Sequence, residues 1–451
     1  MAKTKVLKNT RSNAEILSYI INENPILKEE IDLPVQGQDL SPIGKLIAKN
    51  GRYKNAFINT VNLIGLTVIK KNLWENPWYF TKRGTLAFGQ QVREIINDLC
   101  NVYDYNENIT NETRFIDTVV PNVLNYIHEI NFQKFYQTTT SDEQIAMAFT
   151  REGGLIDFIE DIVGMLYESY TYDDYIVNKY MLCRRAIDGT ITPSIIEIEN
   201  VYARQVVSQV KVVSNRMTFK SPNYNPAGIR RATSFDDQIL IVSSDFEAQF
   251  STEVLATSFF RDEAEMRSRL ALCDSFGDHD DARLTEVLGD LYIPFTEEEK
   301  EILNKIPAIL ISREFFMNYD YELTLDGNAK YTEFYNPTTL KDNHFLHVWS
   351  IYSTSPFENA TIFTDVKGEI STVTVSPDTA TISQYSTLKL TANIENTGIV
   401  NKAVTWSVDN EEIATISQDG TLSPKGTGEI IVTATSIYDN TKTGSATITI
   451  E

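Results

Sequence analysis

Apolar residues recur at helical spacing as Leu155, Phe158, Ile159, Ile162, Val163, Leu166 and Tyr170. The pattern continues through Tyr175, Ile176, Lys179 and Tyr180 and predicts a helix over about 152–187, which at 1.5 Å per residue is about 50 Å long. Asp188, Gly189 and Pro193 end it. Ser141 and Gln144 have the spacing of a capping box, so a helix should begin there. Upstream, Gly89–Val102 alternates partially and Val123–Thr139 is rich in β-formers, with the polar, acidic stretch Tyr103–Pro121 between them. This predicts a long antiparallel hairpin over about 89–139 with a solvent-exposed tip. Gly65–Lys70 also reads as strand, followed by turn signals at Asn76-Pro77 and Lys82-Arg83-Gly84. Residues 1–65 read as an extended arm with short helices.

Downstream, the pattern predicts helices over Glu197–Asn215 and Phe246–Leu272. Strands follow from the apolar runs Gln238–Ser243, Ala308–Ser312, Phe345–Ser353 and Ala360–Thr364. Long helix, hairpin and mixed sheet together make an α+β fold. Near Asp365–Glu369 the composition shifts: arginine vanishes, Thr and Ser multiply, and short strands follow one another to the end. Alternating Leu388/Leu390/Ala392, Val404/Trp406/Val408 and Ile430/Val432/Ala434 predict a small all-β sandwich with Trp406 as its core aromatic. Few contacts are expected across that boundary.

Length and charge narrow the classes. At 451 residues the chain should form two or three domains, and 42% hydrophobic content is ample for globular cores. The net charge of −22 argues against a protein that wraps nucleic acid by neutralising phosphates. No apolar run is long enough to span a bilayer, and the N-terminus lacks a signal-peptide core. Cys100, Cys183 and Cys273 have no metal or redox spacing and read as buried thiols.

Motifs for chemistry are absent. His128 and Glu129 begin like a zinc-protease motif, but residue 132 is phenylalanine. Asp278, His279, Asp280 and Asp281 lack the spacing of a calcium loop and read as a solvated loop. Asp342, His344 and His347 could converge, except that His344 and His347 would point to opposite faces of a strand. The pairs Lys70/Lys71, Arg184/Arg185 and Arg230/Arg231 read as helix-end or interface contacts. No catalytic, cofactor-binding or metal residue is assigned, no cofactor is expected, and the chain is not expected to be an enzyme.

Two resemblances add to this reading. The segments Val373–Pro377, Leu388–Ala392, Val404–Asn410, Ile413–Ile416, Asp419–Leu422 and Lys425–Gly428 closely resemble the group 2 bacterial Ig-like domain, over 371–451. Such modules occur on adhesins and on phage structural proteins. In the body, Ile64–Ile69, Gly89–Ile95, Pro121–Val123, Phe135–Tyr136, Ser244–Ala248, Glu253–Ala256, Phe315–Asp320 and His347–Trp349 resemble, in order, the major capsid proteins of small Picovirinae-type podoviruses, from about residue 60 onward.

That resemblance implies a Hong Kong 97-type capsid fold over 66–365. Its parts would be an E-loop at about 89–139, a spine helix at about 152–187 and an axial domain at about 190–337, with Phe345–Thr364 returning to the peripheral domain's sheet. It implies a virion structural protein, assembled in the host cytoplasm as pentamers and hexamers into an icosahedral or prolate head. Scaffolding and portal proteins and packaged double-stranded DNA, bound without sequence specificity, would be its partners. Some shells of this fold are cross-linked from an E-loop lysine, but residues 103–120 contain Arg114 and no lysine. Competing classes are a secreted or surface adhesin using the Ig-like domain, which would need an export signal and an anchor, an enzyme, which would need a site constellation, and another virion structural protein such as a tail or decoration component.

Overall fold

The computed structural model describes residues 13–35, 38–53, 56–57, 74–87, 89–97, 99–100, 123–141, 143–144, 164–196, 202–253, 269–323, 329–339, 341–417 and 419–451. The expected strand at 65–70, Lys70 and Lys71, the hairpin tip 103–120 and helix residues 152–163 lie outside them.

The chain opens with helices α1 (Asn13–Glu23), α2 (Pro25–Glu30) and α3 (Ser41–Lys49), then strands β1 (Lys82–Leu86), β2 (Val92–Asn97), β3 (Val123–His128) and β4 (Phe132–Ser141). The long helix α4 (Met165–Ile187) follows, then β5 (Thr192–Ile195), α5 (Tyr202–Met217), β6 (Gln238–Ser243), α6 (Ser244–Glu253) and β7 (Leu270–Cys273). After α7 (Asp281–Leu288) and α8 (Glu297–Asn304) come β8 (Ala308–Ser312), β9 (Asn318–Tyr321), β10 (Ala329–Asn336), β11 (Lys341–Ile351) and β12 (Ala360–Thr364).

Strands β6, β8 and β12 keep the bounds their apolar runs predict, because the sheet that holds them is covered on both faces. That sheet has the order β5-β12-β8-β6-β7. Ile239, Ile241, Ile309, Ile311 and Ile362 pack toward α4, whose own contributions include Ile176, Val177, Leu182, Cys183 and Ala186. The alternate residues Leu240, Val242, Ala308, Leu310 and Phe363 pack on α5 through Ala203, Val206, Val210, Val213 and Met217. Each of the α5 residues sits three or four after the last, so one stripe of the helix is apolar. The capping box at Ser141 forms, with the Ser141 N–H 2.9 Å from Gln144 Oε1 and the Gln144 N–H 3.4 Å from Ser141 Oγ.

Several expectations are corrected. The hairpin does not run to residue 139. β2 pairs with β3 from Val92↔His128 to Asn97↔Val123, whereas β4 leaves it and pairs with β11. The chain turns at Asn131, whose side chain pairs with the Tyr352 backbone in both directions, at 2.7 and 2.9 Å. Residues 270–273 are not the end of a helix begun at Phe246, since β7 runs parallel to β6 from Leu240↔Leu270 to Ser243↔Cys273. β12 lies between β5 and β8, so it does not join β11 in one sheet; β11 belongs with β1, β4, β9 and β10. Cys100 is exposed, while Cys183 and Cys273 are buried.

The C-terminal region runs β13 (Glu369–Ser376), β14 (Thr379–Ile382), β15 (Leu388–Lys389), β16 (Thr391–Thr397), β17 (Val404–Val408), β18 (Ala414–Ile416), β19 (Thr421–Pro424), β20 (Gly428–Ser436) and β21 (Thr443–Ile450). A sheet β14-β21-β20-β17 faces the groups β13-β16 and β15-β19-β18. Its core is aliphatic, with Leu390, Leu422, Ile430, Val432, Ala434 and Ile448 buried. Trp406 is only half-buried at the margin of this core, contrary to its expected place at the centre.

Candidate functional site

Helix α4 places polar residues where its amphipathic pattern would put core. Asp173, Asp174, Asn178 and Lys179 are all buried. Each is matched from another element, as a buried polar group requires. Lys82, on β1, reaches Asp320 of β9 at 2.7 Å and Asp174 at 3.4 Å. Tyr352 and Asn76 donate to the two Asp174 oxygens at 2.8 Å each, and Ser350 donates to Asp320 at 2.6 Å. Burial opposes the charge on Lys82, but Asp174, Tyr170 and Asp320 outweigh it and hold the ammonium above its ordinary range. Burial raises Asp174 above the usual carboxylate range, against the pull of Lys82 and Tyr352.

A second clamp sits one residue earlier. Arg283 of α7 grips Asp173 in bidentate fashion at 2.8 and 2.9 Å, and Tyr136 of β4 donates to the same carboxylate at 2.9 Å. Burial raises Asp173 despite that arginine. Together the two clamps fix α4 against β1, β4, β9 and α7. This polarity was missed in the sequence, where its only signal was Asp173 and Asp174 adjacent in an otherwise apolar helical pattern.

The hairpin is fastened at its root. His128 Nδ1 lies 2.8 Å from Ser353 Oγ, and Nε2 lies 3.0 Å from Glu94 of the opposite strand. This has the composition of a nucleophile–base–acid relay, but the imidazole is 1% exposed. A cavity of about 330 Å³ lies elsewhere, between β4, α4 and α7, and includes Tyr136, Asp173 and Arg283 in its lining. The geometry is that of a fastening. Beyond the root the hairpin presents Ile95, Val123 and Ile127, exposed by 63, 48 and 38%.

The remaining residues singled out in the sequence have structural partners. Asp280 caps α7 by accepting from the Arg283 N–H at 3.0 Å, and Asp281 accepts from Tyr292 and Lys300 at 2.5 and 3.0 Å. His279 stacks on Phe295 at 4.7 Å, and burial pushes its pKa down to about 4. Asp278 lends its carbonyl to Lys179. His344 lies 2.7 Å from Thr140 Oγ1, while His347 lies 2.9 Å from Thr332 Oγ1, so the two do not converge. Among the described residues no three His, Cys, Asp or Glu side chains are grouped as metal ligands. No helix of the described residues is long and apolar enough to cross a membrane.

Arg184 pairs with Asp188 at 3.1 Å and Arg185 donates to Thr354 at 2.9 Å, both at the end of α4. Arg231 pairs with Glu314 at 3.1 Å and with Glu358. The C-terminal sandwich meets the same end of α4 through the loop 399–402. Ile399, in the loop after β16, is 1% exposed within the main core. Asn401 donates to Thr192 Oγ1 at 2.9 Å.

Comparison with known proteins bears on these surfaces. Residues 27–364 match a family model described as the Phi29-like phage major capsid protein, so the match begins well before residue 60. Residues 369–450 match the bacterial Ig-like domain (group 2). The chain is 27% identical over 442 residues to the major capsid protein of Bacillus phage GA-1, covering 93% of this chain and 85% of that protein. It is 27% identical over 416 residues to the major capsid protein of Bacillus phage B103, covering 88% and 84%. In fold, it is similar to a chain in the structure of the head fiber and inner core protein gp22 of native bacteriophage P68. That likeness has a TM-score of 0.51 at 14% identity and covers 65% of this chain and 86% of that one.

Proposed function

This chain belongs to the Phi29-like phage major capsid protein family and is a capsid protein of a tailed phage, and on that premise we propose how it builds the shell. The subunits associate as pentamers and hexamers of a Hong Kong 97-type shell. They assemble in the host cytoplasm with scaffolding and portal proteins and enclose double-stranded DNA. The chain works as a structural subunit and not as a catalyst.

The observation that carries this reading is the hairpin β2-β3. Two strands alone are marginal in water, and here they expose Ile95, Val123 and Ile127 while His128 fastens them at the root. Apolar side chains on a projecting ribbon are covered in an assembly by a neighbouring copy. The clamps on α4 supply the rigid body against which such a contact is set. The chain's net charge of −22 supports the enclosing role, because an acidic wall does not hold phosphates as DNA moves past it.

Electron microscopy of the expressed chain, alone and with a scaffolding protein, tests the proposal. Shells or capsomer rings are expected. Monomers under both conditions would overturn it.

A further inference from the structure

Two long stretches of the chain, 40–74 and 200–235, carry cations and no acidic residue, and the second lies mostly among the described residues. Between Glu199 and Asp236 there is no acidic residue, while Arg204, Lys211, Arg216, Lys220, Arg230 and Arg231 all fall there. The fold turns part of this stretch into a surface. With Val206, Val210, Val213 and Met217 of α5 buried on the sheet, the opposite stripe, including Arg204, Ser208, Asn215 and Arg216, faces outward.

One more turn carries the chain past the helix end, with the Phe219 N–H donating to the Arg216 carbonyl at 3.1 Å. Phe219 is 74% exposed and Lys220 beside it is exposed. The segment that follows is tied down. The Thr233 N–H reaches the Met217 carbonyl at 2.8 Å, Ser221 and Arg231 exchange backbone bonds, and the buried Asn225 both donates to and accepts from Ile229. The cations are therefore displayed on a fixed support, so little ordering is needed on binding.

Not every cation here is available. Arg231 is committed to Glu314 and Glu358, and Arg269 covers the Phe235 ring at 3.6 Å. Arg216 and Lys220 differ: among the described residues neither takes part in an ion pair. Arg216 lies in the last turn of α5 and Lys220 just past its end, and both are exposed.

We propose that the outward end of α5, from Arg216 to Lys220, contacts the phosphate backbone of the double-stranded DNA that the shell encloses. This rests on the enclosing role proposed above and assigns it a contact. The contact is local and independent of base sequence, since exposed cations meet phosphates without reading base edges. Such a contact, in a chain of net charge −22, would place the outer turns of DNA without gripping them.

Fluorescence polarisation of the full-length, unassembled chain with a short labelled duplex of mixed sequence, across a salt series, provides the test. Wild-type binding should weaken as salt rises, and a duplex of unrelated sequence should behave alike. R216Q/K220Q should weaken binding and reduce the log–log salt slope by about 2, roughly one for each phosphate left without its cation. R216K/K220R, which keeps both charges, should retain the wild-type slope. An unchanged slope in R216Q/K220Q, or no wild-type binding at low salt, overturns the assignment. So does a glutamine variant that binds the duplex normally but no longer forms capsomers, since an acidic segment of a neighbouring copy would then occupy the patch. Microscopy of the same preparations keeps the parent reading separate: shells without duplex binding sink only this contact. Absence of shells from the wild type sinks the enclosing role, while the salt slopes still decide whether these cations meet phosphate.

Discussion

Lys402 donates its backbone N–H to the carbonyl of Gly189 at 2.9 Å, joining the Ig-like sandwich to the end of the long helix. Gly189 has φ +71, the left-handed conformation that closes a helix at its C-terminus. A Cβ there would lie 2.6 Å from both the Val400 carbonyl oxygen and Lys402 Cγ. Glycine is thus required twice, once by its own backbone and once by the loop pressed on it.

Gly189→Ala should therefore loosen the junction as well as the helix end. The left-handed conformation alone costs an alanine about 1–2 kcal/mol, and relief of the clash requires the 399–402 loop to move. Thermal unfolding of the full chain should show a lower midpoint, and hydrogen exchange should show faster opening of residues 398–403. An unchanged exchange pattern would mean that the sandwich hangs from its linker alone.

The buried ion cluster makes a second prediction. Lys82→Met removes the ammonium and leaves Asp174 and Asp320 facing each other in a dry site; removing one partner of a buried pair typically costs about 3–5 kcal/mol. The triple variant K82M/D174N/D320N removes the charges together and should recover part of that loss. Chemical denaturation of the three proteins measures it, and a triple variant no more stable than K82M would show that packing, not charge, was responsible.

What the sequence revealed depended on whether a residue's surroundings were local. The runs Gln238–Ser243, Ala308–Ser312 and Ala360–Thr364 are legible because a strand covered on both faces is apolar throughout. The cap at Ser141 is legible because its partner, Gln144, is three residues away. The break between β3 and β4 is not, because it depends on Asn131 bonding the Tyr352 backbone far along the chain. For the same reason Lys82 looked like part of a turn signal, and nothing nearby pointed to Asp320. Trp406 misled differently. Period-two alternation places it on the inward face correctly, but says nothing of how near the sheet's margin it lies.

His279 gives the fold a pH dependence with a definite sign. Burial lowers its pKa from an ordinary 6.5 to about 4, and the nearby Lys179 ammonium pushes the same way. The unfolded chain thus takes up a proton at higher pH than the folded one, so stability is full above about 6.5 and is lost as pH falls toward 4. The loss attributable to this group should be on the order of 1–3 kcal/mol. His279→Phe, which keeps a ring against Phe295, should flatten the stability profile between those pH values. A profile as steep as the wild type's would assign the acid sensitivity to the carboxylates instead.

The last prediction concerns how subunits are held together. A covalent lock from the hairpin to a neighbour, of the isopeptide kind, needs an amine on the hairpin, and no lysine occurs between Gly89 and His128. Arg93 and Arg114 cannot replace it, because a guanidinium stays protonated and is not a usable nucleophile. Cys100 is exposed but could form only a reducible bond. The ribbon instead offers apolar area through Ile95, Val123 and Ile127, which suits many modest interfaces closed by symmetry. Purified particles boiled in detergent with reductant should therefore run as a single band near the 51.2 kDa monomer. A high-mass ladder that survives both treatments would show that the shell is locked by a bond whose amine comes from outside the hairpin.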